Sequence, residues 1–166
     1  CWQYRDTLVT AGKYEIAVAR RYGAEKLNDA WLTAPLGPVN PADYGRVAVL
    51  MGGRSSEREV SVHGGQAVLQ ALLEAGADAF AIDAFGESGT LNLVQQLQQQ
   101  PIDTVFNMLH GGEGEDGSVA SLLELLGMRY TGNGMAASAL AMDKERCKFL
   151  WQGMGLPTAG FAILSE

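Results

Sequence analysis

The sequence has few of the features that mark a disulfide-built, membrane or nucleic-acid-binding protein. Its two cysteines, Cys1 and Cys147, are too few and too far apart for a disulfide framework, so a reducing compartment fits best. No apolar run approaches the roughly 18 to 20 residues that a membrane span requires. Clustered basic residues are also missing, and the net charge of -7 argues against a partner with a phosphate backbone. We therefore expect a soluble, cytoplasmic protein with no nucleic-acid or membrane partner.

What the sequence does contain is typical of a folded α/β protein. Apolar residues make up 47% of the 166 residues and charged residues 19%, a globular composition. A helix is predicted over residues 14–34, and the prolines that follow it prevent its continuation. We therefore expect a helical segment with a proline-rich linker at 1–44, a main domain at 45–157 and the start of a further domain at 158–166.

Beyond Gly45, short apolar runs alternate with longer amphipathic segments, which predicts repeated strand and helix units. The strands are predicted at residues 46–51, 79–82, 104–109, 128–130 and 158–164. The helices are predicted at residues 60–75, 91–99, 119–126, 136–142 and 143–152, with Gly76 and Gly127 as stop signals. Right-handed crossovers wind such units into an open parallel, Rossmann-like sheet with helices on both faces. Because ligands bind at the carboxyl ends of the strands, we expect the site in the loops that follow them.

The loop after the first predicted strand reads GGRSSERE, residues 52–59. It matches neither the dinucleotide-binding pattern nor the P-loop, and a glycine pair also occurs wherever a turn into a helix is tight. Ser56 and Glu59 have the spacing of a capping box, in which two side chains satisfy free amides at a helix start. Glu57 has no such role. The helix dipole alone favours an acid there; the alternative is that Glu57 binds a ligand ammonium group.

The loop after the third predicted strand reads LHGGEGEDGS, residues 109–118. Its glycines let a ligand approach the backbone, and the free amides at the next helix start can take an anion. His110, at the strand end, is a candidate ligand contact, whereas His63 is interpreted as an ordinary surface or packing residue. The calcium-loop spacing is absent, and zinc lacks a second histidine or cysteine nearby. No metal site is therefore predicted.

A third segment, YTGNGMAASALAMDKERCK, places Lys144 and Lys148 on one helix face behind a capping Asp143. A charged helix face usually does no more than contact solvent. The alternative is that Lys144 has a function. Taken in order and at their separations, the three segments, followed by KFLWQGMGLPTAG, resemble D-alanine:D-alanine ligase of the ATP-grasp superfamily. The resemblance runs from Gly45 to about the C-terminal end and does not cover residues 1–44.

The resemblance implies a pre-ATP-grasp substrate domain with three functional residues. Glu57 holds the ammonium group of the first D-alanine, His110 lines the same catalytic subsite, and Lys144 reaches the nucleotide phosphates. It also implies that ATP and Mg²⁺ phosphorylate one D-alanine, whose acyl phosphate is attacked by the amine of a second, a step of peptidoglycan precursor synthesis.

In the family, the adenine pocket, the magnesium carboxylates and an oxyanion arginine lie in later domains. We therefore expect this chain alone to be inactive and to bind neither ATP nor Mg²⁺ tightly. The resemblance is also compatible with a homodimer. The alternative function is a non-catalytic module that binds a small ligand or a nucleotide on the same sheet.

Overall fold

A computed structural model describes residues 40–85 and 93–164. They belong to one compact unit that begins at Asn40. Asn40 caps a short 3-10 helix, Pro41–Tyr44, because its side chain accepts a hydrogen bond from the Ala42 amide at 3.2 Å. The helix predicted at residues 14–34 lies outside the described residues. Within the described ranges, no helix combines the length and apolar character that crossing a membrane requires.

Strands and helices alternate through the described part of the chain. The strands are β1 (Val47–Gly52), β2 (Ala79–Ala84), β3 (Thr104–Asn107) and β4 (Arg129–Tyr130). The helices are α1 (Arg58–Glu74), α2 (Leu93–Gln98), α3 (Ser118–Leu125), α4 (Met135–Met142) and α5 (Lys144–Gly153). A 3-10 turn, Gly112–Gly114, lies between β3 and α3. The predicted strands and helices between residues 46 and 152 are confirmed, with small shifts at their ends.

The four strands form one parallel sheet in the order β2-β1-β3-β4. Strand β1 lies inside the sheet, where Val47 pairs with Ala79 on one side and with Thr104 on the other. The chain leaves β1 toward one edge to form β2 and then crosses back to form β3. The loops that leave β1 and β3 are therefore neighbours, at the switch point where open α/β sheets bind ligands.

Helices cover both faces of this sheet, as predicted. On one face, Leu50 joins a buried cluster to which α2 contributes Leu97 and α3 contributes Leu123. On the other face, Met51 packs against α1 at Gly65, where an added Cβ would lie 2.6 Å from the Met51 Cβ. Burial on both faces explains why β1 is a continuous apolar run.

Two helices end at glycines, as the sequence predicts. Gly76 has a φ of +84° and donates its amide to Leu73 O, while the Ala77 amide donates to Leu72 O. This pair of bonds is a Schellman motif, which satisfies carbonyls left free at the end of α1. Gly127 ends α3 in the same way, with a φ of +67°.

Two local predictions are wrong. The capping box does not form, because α1 begins at Arg58 with Glu57 as its N-cap residue and without a side-chain cap hydrogen bond. Ser56 and Glu59 therefore do not occupy the two positions that a capping box requires. The second is the strand at residues 158–164, which are irregular. A strand needs an edge to pair with, and none of the described strands pairs with this segment.

Candidate functional site

Glu57 and His110 meet at the carboxyl edge of the sheet. Glu57 is the N-cap residue of α1, and His110 follows the end of β3. One side-chain ligand atom from each of Glu57, His110 and Glu115 lies within 4.8 Å of the other two. His110 is half-buried, whereas the two glutamates are exposed. The structure thus brings the two predicted site residues together and adds Glu115, which the sequence analysis did not single out.

A serine joins the two loops at this point. The Ser55 hydroxyl donates to the His110 carbonyl at 2.6 Å and accepts from the Glu57 amide at 3.1 Å. Beside it, Gly111 has a φ of +64°, and a Cβ there would lie 3.0 Å from both Glu57 Oε2 and Ser55 Oγ. Glycine therefore suits this position for both its backbone conformation and the close approach. Ser55 was not predicted as a site residue, although a serine two residues before a helix N-cap is a known turn signal.

A second serine joins the same strands deeper in the domain. Ser61, in the first turns of α1, is fully buried. Its hydroxyl accepts from the Gly52 amide at 3.0 Å and donates to the Met108 carbonyl at 2.7 Å. The end of β1 and the exit of β3 are therefore held together through one side chain of α1.

Ion pairs hold the outer side of the site. Arg54 Nε donates to Glu113 Oε1 at 3.0 Å, and its guanidinium lies 4.5 Å from the centre of the Phe85 ring. The pKa of Glu113 is held below its ordinary value, mainly by a hydrogen bond to the backbone of Glu113 itself and then by the hydrogen bond from the Arg54 side chain. Arg58 binds both carboxylate oxygens of Asp83, at 2.8 and 2.6 Å, and so fixes the start of α1 to β2.

The cluster of Glu57, His110 and Glu115 is suited to a cation. His110 Nδ1 lies 3.7 Å from Glu115 Oε1, and two carboxylates held near each other favour a positive partner between them. The prediction of no metal site rested on the absent calcium-loop spacing and on the lack of a second histidine or cysteine near His110. Glu57, which comes from the other loop, lies outside both tests, and the group it forms with His110 and Glu115 could hold an ion geometrically. Its imidazole donor does not fit magnesium, which takes oxygen ligands in octahedral geometry. An ammonium group suits the two carboxylates directly.

A cavity of about 250 Å³ adjoins this cluster. Glu115 lines it, and α4 contributes Ser138 and Met142. Asn107 and Thr131, at the exits of β3 and β4, complete its polar wall, and the Thr131 hydroxyl accepts from the Asn107 amide at 3.0 Å. The carboxyl edge therefore offers a small recess, with both polar and apolar walls, next to the cluster of Glu57, His110 and Glu115.

Lys144 lies on a different element. It is the exposed first residue of α5, whose start is capped by Asp143 through a 2.9 Å hydrogen bond from the Arg146 amide. The cap predicted for Asp143 is confirmed. Lys148, four residues on, donates to Thr158 Oγ1 at 2.7 Å and to the Ala159 carbonyl at 3.1 Å. It therefore holds the segment after α5, whereas Lys144 stays exposed.

The fold and the site define an open parallel α/β domain with an acidic, loop-built site at the switch point of its sheet. A family model described as D-ala D-ala ligase N-terminus matches residues 87–133. The D-alanine:D-alanine ligase of Stutzerimonas stutzeri is 55% identical over 127 residues, which are 76% of this chain and 39% of that protein. The enzyme of that name from Neisseria meningitidis serogroup C is 52% identical over 124 residues, 75% of this chain and 39% of that protein.

Solved structures agree with the sequence relatives. A D-alanine:D-alanine ligase from Bacillus anthracis in complex with ATP matches with a TM-score of 0.58 and 34% identity, over 66% of this chain and 35% of that one. A D-alanine:D-alanine ligase from Aeromonas hydrophila matches with a TM-score of 0.62 and 30% identity, over 73% of this chain and 50% of that one. The chain therefore matches the N-terminal part of D-alanine:D-alanine ligases, as the three motifs indicated. It spans 39% of the length of the curated relatives described above.

Proposed function

We propose that this chain is the D-alanine-binding N-terminal part of an ATP-dependent D-alanine:D-alanine ligase of the ATP-grasp superfamily. The observation that carries the proposal is the meeting of Glu57 and His110 at the switch point, in a chain whose relatives bear that enzyme's name. The complex of the Bacillus anthracis relative with ATP supports ATP as the second ligand. We place the reaction in the cytoplasm, as a step of peptidoglycan precursor synthesis.

Glu57 binds the ammonium group of the first D-alanine in this proposal. A charged hydrogen bond between a carboxylate and an ammonium is roughly twice as strong as a neutral one. Glu115 strengthens the negative potential around the same cation, since its carboxylate lies in the same cluster. His110 lines the subsite from the β3 side, and its half-burial limits the orientations of its ring.

The proposed reaction joins two D-alanines. The γ-phosphoryl group of ATP passes to the carboxylate of the first D-alanine and leaves ADP. The amine of the second D-alanine, having lost a proton, attacks the acyl carbon; the amide bond forms, the bond from this carbon to the phosphate oxygen breaks, phosphate leaves and the amine loses a further proton to solvent. Lys144 supplies a positive charge toward the nucleotide phosphates. When bound, magnesium supplies charge neutralisation to those phosphates, but the Glu57, His110 and Glu115 group does not fit it. We therefore expect the chain alone to turn over no ATP.

A chimaera tests the activity. Residues 40–164 would replace the matching region of the Stutzerimonas stutzeri enzyme, and D-alanyl-D-alanine and phosphate would be measured with D-alanine and ATP. Glu57→Gln keeps the shape of the side chain and removes its charge, so we expect kcat/KM for D-alanine to fall by about 10- to 100-fold. Glu59→Gln, an exposed acid two residues away, is the control and should change it by less than about 2-fold. A folded chimaera that forms no dipeptide would refute the proposed function.

The nucleotide role of Lys144 needs its own variant. Lys144→Ala should raise the KM for ATP and leave the KM for D-alanine nearly unchanged, because Lys144 lies on another element than Glu57. Arg146→Ala removes a neighbouring exposed cation as the control. If the two variants changed the KM for ATP equally, the proposed role of Lys144 at the nucleotide phosphates would be refuted. Tight binding of a mononucleotide by the unmodified 166-residue chain, measured by calorimetry, would favour the non-catalytic alternative instead.

A further inference from the structure

We propose that Ser55 is a positioning residue that fixes Glu57 against His110. The inference rests on the proposed function, since it concerns the same subsite. Ser55 touches both loops with a single hydroxyl, which donates to the His110 carbonyl at 2.6 Å and accepts from the Glu57 amide at 3.1 Å. One oxygen atom thus connects the backbones of two residues that are 53 positions apart in the sequence.

The Glu57 side of this link controls the direction of a carboxylate. Glu57 is the N-cap residue of α1, and the helix start has no other side-chain cap hydrogen bond. Its φ of -96° and ψ of 12° are not helical, so its conformation depends on local contacts. The bond to Ser55 holds the peptide from which the Glu57 side chain extends. Losing this bond would free the carboxylate to point away from the subsite.

On its other side, the link restrains the backbone at His110, just before two glycines. His110 is followed by two glycines with positive φ, Gly111 at +64° and Gly112 at +45°. Glycine has the widest conformational freedom of any residue, so these two residues add little restraint of their own to the His110 peptide. The hydrogen bond from Ser55 to the His110 carbonyl fixes the last peptide before the two glycines.

The two serines of α1 and its preceding loop have separable roles. Ser61 is fully buried and joins strand ends, so its loss should mainly lower stability. Ser55 is half-buried and joins the loops at the rim, so its loss should mainly loosen the subsite. A positioning residue acts on the geometry in which the substrate is held, so its loss is read in the kinetics for the first D-alanine.

Steady-state kinetics of the chimaera test the effect on the subsite. With Ser55→Ala we expect the KM for the first D-alanine to rise about 10-fold, with a kcat within about 3-fold and an unchanged KM for ATP. Ser55→Thr keeps the hydroxyl and should restore most of the affinity. Ser56→Ala is the matched control, because the links between the loops involve Ser55 and not its neighbour. Kinetics of Ser55→Ala equal to those of Ser56→Ala would overturn the inference.

Hydrogen exchange in the 166-residue chain gives a second readout that needs no catalysis. In Ser55→Ala the Glu57 amide should exchange at least about 10-fold faster, since it loses its acceptor, and the His110 ring signals should shift in NMR spectra. The buried amide of Gly52, which bonds to Ser61, should keep its protection. An unchanged Glu57 amide would overturn the inference even if the chimaera is active. An inactive chimaera with the expected exchange would refute the proposed function and leave the link between the loops established.

Discussion

Replacing Ser61 by alanine should destabilise the domain more than any exposed serine does. Ser61 has no exposed surface, and its hydroxyl satisfies the Gly52 amide at 3.0 Å and the Met108 carbonyl at 2.7 Å. The variant removes the hydroxyl that serves both groups, and so leaves the buried Gly52 amide and the part-buried Met108 carbonyl without this partner. Leaving a buried polar group without a partner costs about 1–3 kcal/mol. We therefore expect the free energy of unfolding to fall by about 2–4 kcal/mol, a large part of the roughly 5–15 kcal/mol typical of a domain.

Urea denaturation measures this loss directly. With an m-value of about 2 kcal/mol/M, a loss of this size lowers the midpoint by about 1–2 M. Ser56→Ala, at an exposed position, should change the free energy of unfolding by less than about 0.5 kcal/mol. A Ser61→Ala variant that loses no more stability than Ser56→Ala would show that the two strand ends do not depend on this hydroxyl.

Further predictions concern packing and charge. Gly65→Ala should destabilise the fold by about 1–3 kcal/mol in urea melts, since its Cβ would overlap β1. Gly153→Ala, with no atom within 4 Å of the added Cβ, should be neutral or stabilising by up to about 1 kcal/mol, and equal losses would contradict this reasoning. Leu97→Ala should cost about 2–5 kcal/mol, because Leu97 is buried in the core, and a loss below about 1 kcal/mol would contradict it. The pKa of Glu113 is lowered from 4.5 in the folded state, by its own backbone and then by Arg54, so its stabilisation is present above pH 4.5 and lost as the pH falls further. The difference in melting temperature between the wild type and Glu113→Gln should therefore be largest near pH 7 and shrink below pH 4, and a constant difference would contradict it.

Much of the fold could be predicted because local signals and burial agree. The apolar run of β1 indicates a strand buried on both faces, and Gly76 and Gly127 mark helix ends that do need positive φ. The strand at residues 158–164 was predicted from composition, but composition does not say whether a sheet edge is available. The capping box failed because the start of α1 fixes which residue is the N-cap, and a shift of one residue moves Ser56 and Glu59 out of both positions.

The site could be predicted only in part because it depends on strand order. Glu57 and His110 follow strands, so their presence at the carboxyl edge follows from a parallel sheet. Their proximity follows from the placement of β3 beside β1, which local sequence does not determine. Glu115 and Ser55 joined the site for the same reason, since each gains its role from a residue in the other loop.

The pairing of β1 with β3 also has a consequence for folding kinetics. The bonds from Ser55 to His110 and from Ser61 to Met108 close chain segments of 55 and 47 residues. Such contacts form late, because the entropy of closing a long loop is lost before the contact is gained. The acidic cluster can exist only after β3 has docked, and any opening that separates β3 from β1 removes it completely. Binding of a ligand to this cluster should therefore slow the release of β3 and protect the centre of the sheet from proteolysis.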